Sequence, residues 1–95
     1  MRRVSIERKL TEGSRRLATA REELEVGEEQ LRQLAEEAEE ARLRALVSDG
    51  PADEKVAKEA ERHASALERH LSAVRAEIAR TEAEQDRLLD ELGNS

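Results

Sequence analysis

Small and apolar residues recur every seven positions in two separate frames, one on each side of the single proline, Pro51. Before it, one row is Leu10, Leu17, Leu24, Leu31, Ala38 and Ala45, and a second is Ile6, Gly13, Ala20, Gly27, Leu34 and Ala41. After it, the rows are Ala57, Ala64, Leu71, Ile78, Gln85 and Leu92, then Ala60, Leu67, Val74, Thr81 and Leu88. Paired rows of this spacing are the a and d positions of a heptad repeat, which line one side of an α-helix. Charged residues make up 42% of the chain, a composition that would otherwise suit disorder. Five or more heptads on each side argue for two amphipathic helices instead.

The break between the frames is Ser48-Asp49-Gly50-Pro51, followed by Asp53 and Glu54. Gly50 suits the residue just past a helix end, because it tolerates positive φ. Pro51 suits the first position of the next helix, where its missing N–H is no loss. Asp53 and Glu54 then sit favourably against the helix dipole. Gly93 and Asn94 form a stop at the far end. The expectation is a single helical hairpin over residues 1–95: helix 1 about 5–48, a turn about 49–51, and helix 2 about 51–92. A short turn between long amphipathic helices makes them antiparallel, an all-α two-helix coiled-coil hairpin.

Charge supports the fold-back. Residues 1–21 carry seven basic and two acidic side chains, and residues 82–95 carry one basic and five acidic. The hairpin lays these segments side by side. In one register Arg21 meets Glu82, Glu28 meets Arg75 and Arg42 meets Glu61. A slip of one heptad sets Arg21 against Arg75 and Glu28 against Glu68. Such pairs are individually weak, but their common sign selects the first register. On the other flank, Lys9 with Glu91 and Arg16 with Glu84 suit the slipped register better.

The seam is alanine near the turn (Ala38, Ala41, Ala45, Ala57, Ala60, Ala64) and richer in leucine toward the termini. Gly13 and Gly27 share one heptad position, where a glycine costs about 1 kcal/mol against alanine. They are expected to receive bulky neighbours such as Ile78 and Leu92, unless they are tolerated drift. Gln85 and Thr81 are polar at core positions, and they either fix register or sit in a wet, frayed end. Twelve large apolar seam residues are a thin core for 95 residues. Leu43, Leu46, Val47 and Val56 lie off the seam close to the turn, and Leu89 lies off it at the other end. The first four are a candidate interaction patch. The expectation is a homo-oligomer, a four-helix bundle or elongated dimer, with capping of the turn as the plainer alternative.

Several chemistries have no residues to support them. With no cysteine and no aromatic side chain, there is no disulfide framework, thiol nucleophile or base-stacking platform. The longest apolar run is Ala45-Leu46-Val47, too short for a membrane span. The start, Met1-Arg2-Arg3-Val4-Ser5, has positive charge without an apolar stretch behind it, so a cytoplasmic location is expected. His63 and His70 are seven apart, too far to share one metal on a helix whose usual ligand spacing is four. The carboxylate runs lack a desolvated pocket that would raise a pKa. No Gly-rich phosphate loop and no Ser-His-Asp set is present. The expectation is no enzyme activity and no cofactor. Nucleic-acid binding is not expected either, since Arg2, Arg3, Arg8, Lys9, Arg15 and Arg16 lie beside an acidic C-terminal segment.

The run from Ala41 to Gly50, with Asp53 and Ala57-Lys58-Glu59-Ala60, is similar to the turn of phage-shock protein A hairpins, over about twenty residues. The 95 residues do not include that family's additional helices. A helical finger carrying acids at its tip (Asp49, Asp53, Glu54) resembles the finger of Gre-type transcript-cleavage factors. That resemblance implies entry into the RNA polymerase secondary channel and presentation of acids to a metal ion. The acid spacing departs from the Gre motif. The residues themselves point to a non-enzymatic structural or adaptor protein acting through protein–protein contacts. A polymerase-channel regulator with an acidic tip is the alternative.

Overall fold

The computed structural model describes residues 2–94. Two helices account for nearly all of them: α1, Arg2–Ser48, and α2, Pro51–Gly93, with no strand among the described residues. They pack against each other as a helical hairpin. α1 begins three residues earlier than expected, and the turn narrows to Asp49 and Gly50.

The turn corrects one sequence expectation. Asp49, not Gly50, takes the left-handed conformation, with φ 54°, and its N–H donates to the Ala45 carbonyl at 2.9 Å. The cause is Pro51, whose ring confines the preceding residue to extended backbone, so the left-handed step falls one position earlier. Gly50 instead caps α2: its carbonyl accepts the Glu54 N–H at 3.1 Å. Its own N–H donates to Ser48 Oγ at 3.3 Å. Pro51 opens α2 as expected, and Asp53 and Glu54 lie in its first turn.

Every residue of the four heptad rows is buried or half-buried. The chain divides into two compact units. The turn unit spans Glu25–Ser72. At its closed end, Ala41, Ala45 and Ala57 form a buried cluster with Ala60 against it. Methyl-sized side chains let the two backbones approach. Farther from the turn, Leu71 is fully buried, and a Cβ added to Gly27 would overlap its Cδ2. Gly27 is therefore the hole that receives Leu71.

The terminal unit comprises the described residues up to Leu24 and from Ala73 onward. Ile6, Leu17, Val74 and Leu88 are its buried apolar side chains. Here a Cβ on Gly13 would overlap the Gln85 amide. Both glycines thus receive bulky side chains, but these are Leu71 and Gln85, not Ile78 and Leu92. Gln85 Nε2 donates to the Leu10 carbonyl at 3.1 Å and to Ser14 Oγ at 3.4 Å. Thr81, also buried, donates its hydroxyl to the Glu77 carbonyl of its own helix at 2.9 Å. Of the two polar seam residues, Gln85 bonds across the seam, whereas Thr81 satisfies itself locally.

Candidate functional site

Flank charges hold each unit in the first of the two registers. In the terminal unit Arg21 pairs with Glu82 at 2.9 Å, and in the turn unit Arg42 pairs with Glu61 at 2.7 Å. The flank that favoured a slip is also satisfied. Arg2 pairs with Glu91 at 3.2 Å. Glu84 lies in the fields of Lys9 and Arg16, and Glu77 in that of Arg16. These carboxyls are held below the usual range chiefly by same-helix arginines, Arg87 for Glu84 and Arg80 for Glu77.

Arg42 is the most elaborate of these groups. Its Nε and Nη2 donate to the two Glu61 carboxylate oxygens at 3.1 and 2.7 Å, a bidentate fork. Its Nη1 donates to Glu54 at 2.6 Å. Hydrogen bonding from Arg42 pushes the Glu61 carboxyl down. Glu54 also lies 3.9 Å from Lys58. Sequence reasoning grouped Glu54 with the tip acids. The missed signal is its spacing of seven from Glu61, which puts both on the flank that faces Arg42.

This changes the acidic tip. Glu54 is half-buried and committed to Arg42, Asp53 is half-buried, and Asp49 is the exposed residue of the left-handed step. Among the described residues, no three His, Asp or Glu side chains form a group able to hold a metal. His63 and His70 are both exposed.

The apolar patch stands in the open. Leu43, Leu46, Val47 and Val56 retain 52–88% of their accessible surface, with Val47 the most exposed. A shallow groove open to solvent runs between Leu43, Arg44, Val47, Ser48 and Asp53. Leu89 is similarly exposed in the terminal unit. Val26 and Val4, which the heptad reading passed over, are exposed as well. Their signal was the one used for Leu43: an apolar residue off both rows. Among the described residues, no helix is long and apolar enough to cross a membrane.

No family model matches the chain, and no curated protein or solved structure matches it.

Proposed function

We propose that this chain is a non-enzymatic, cytoplasmic structural or adaptor protein that works through protein–protein contacts at its turn end. Leu43, Leu46, Val47 and Val56 form the contact surface, and self-association is one use of it. The supporting observation is their exposure beside a turn that the alanine seam and the Arg42 fork already hold without them. Burying a side chain of this kind contributes about 1.5–3 kcal/mol, so a partner covering three or four of them gains substantially. Contiguous exposed apolar surface is characteristic of interaction sites.

The channel-regulator reading has less support, because Glu54 is occupied by Arg42. The two readings separate on paired variants. Leu46→Glu with Val47→Glu is expected to abolish capture of partners that the native protein retains. Asp49→Ala with Asp53→Ala is expected to leave capture intact. The reverse pattern, or partners indifferent to both, would contradict the apolar-tip proposal.

A further inference from the structure

A third heptad row lies on the side of each helix opposite the seam. In the turn unit it reads Glu29, Glu36, Leu43 on α1 and Lys55, Arg62, Arg69 on α2, and all six are exposed. Lys55, Arg62, Arg69 and Glu36 have no ion pair or hydrogen bond among the described residues. Glu29 has one exposed pair, with its neighbour Arg32 at 3.0 Å. Gly27 is level with Leu71 across the seam, so Glu29 is level with Arg69, Glu36 with Arg62, and Leu43 with Lys55. In the terminal unit, Gly13 is level with Gln85, which sets Arg8 level with Asp90 and Arg15 with Ala83. At every one of these levels the two outward side chains are opposite in charge, or one of them is neutral.

The two outer rows of one chain point away from each other and cannot pair within it. A helix that presents cations at the same spacing and the same levels is, however, available on a second copy. We propose that copies of this chain associate side by side, the outer face of α1 on one against the outer face of α2 on the next, with their turns pointing the same way. Pairing α1 with α1 would set Glu29 and Glu36 against glutamates. Pairing α2 with α2 would oppose Arg62 and Arg69 to cations. Of the contacts in which the turns point the same way, only the mixed one is complementary. It is heterologous: each added copy leaves one free α1 face and one free α2 face, so assembly is open-ended. Leu43 lies against the aliphatic stem of Lys55 on the next copy. The inference rests on the reading of the turn end of α1 as a contact surface, and it names a second copy as the occupant.

Exposed ion pairs are weak singly and screened by salt. In sedimentation at about 20 mM salt, the native mass is expected to rise with concentration past that of a dimer, and to fall toward one chain at about 500 mM. Glu29→Arg with Glu36→Arg makes both rows basic, and Arg62→Glu with Arg69→Glu makes both acidic. Each variant alone is expected to stay a single chain while its circular dichroism remains helical, and an equimolar mixture is expected to assemble. A native protein that stays a single chain at high micromolar concentration in low salt would overturn the inference. A dimer that does not grow would overturn it too, as would single variants that assemble like the native chain. Leu46→Glu with Val47→Glu lies off these rows. If that variant loses partner capture while the native protein fails to assemble, the side-by-side inference falls and the apolar tip stands.

Discussion

The turn unit and the terminal unit solve the same packing problem with opposite chemistry. In each, a glycine on α1 opens a hole in the seam at the same heptad position. In the turn unit Leu71 fills it and is fully buried. In the terminal unit Gln85 fills it and reaches the Leu10 carbonyl. A leucine in a hole contributes burial, but any leucine one heptad away would fit as well. A glutamine whose amide must find a particular carbonyl contributes less burial and discriminates between registers. The flanks show a related contrast, since Arg42 forks two carboxylates whereas Arg21 meets one.

The largest expected effect breaks the apolar version. Leu71→Ala should destabilise the fold by about 3 kcal/mol, read from chemical denaturation. Gly27→Ala sharpens the test. In the native background it crowds Leu71 and should cost about 1–3 kcal/mol. In the Leu71→Ala background it should instead stabilise, because only the better helix propensity of alanine remains, about 1 kcal/mol. An effect of the same sign in both backgrounds would contradict the hole-filling account.

The turn comes next in size. Asp49→Val forces a β-branched residue into the left-handed region and should cost about 1–2 kcal/mol. Gly50→Ala meets nothing nearer than Ser48 Oγ at 3.8 Å and should be tolerated far better. Gln85→Leu converts the polar hole of the terminal unit into a copy of the apolar one. It should raise stability by about 1 kcal/mol while removing the bond that discriminates register. A loss of stability would show that the amide bond outweighs the burial.

The smallest effect is pH-dependent. Glu61 is depressed in the folded chain by Arg42, so its contribution is fully present above the unfolded carboxylate range, about pH 4.3. It is lost as pH falls through the lower folded value. The stability difference between the native chain and Arg42→Ala should therefore be constant near neutrality and shrink on acidification. A difference that grows toward low pH would contradict the fork.

Periodicity alone located the seam, since burial follows the four heptad rows residue by residue. It was blind to which heptad faces which, because every row repeats at the same interval. That is why Ile78 and Leu92 were expected at the glycines that Leu71 and Gln85 occupy. Opposite charge on the flanks resolved the ambiguity for Arg21 and Arg42. Glycine adopts the left-handed conformation most easily, which points to Gly50, but Pro51 confines its predecessor to extended backbone and moves that step to Asp49. At the turn end, the apolar patch was legible as residues off the rows. The withdrawal of Glu54 from the acidic tip required knowing that Arg42 reaches past Glu61.

Antiparallel pairing in this register underlies both the exposed tip and the complementary outer rows. The chain has no cysteine, so introduced pairs report without background. With a short bis-maleimide, Arg21→Cys with Glu82→Cys should link rapidly within one molecule. Arg21→Cys with Leu89→Cys, one heptad beyond Glu82 and about 18 Å along the helices from the level of Arg21, should not. Fast linkage of the second pair and none of the first would contradict the account.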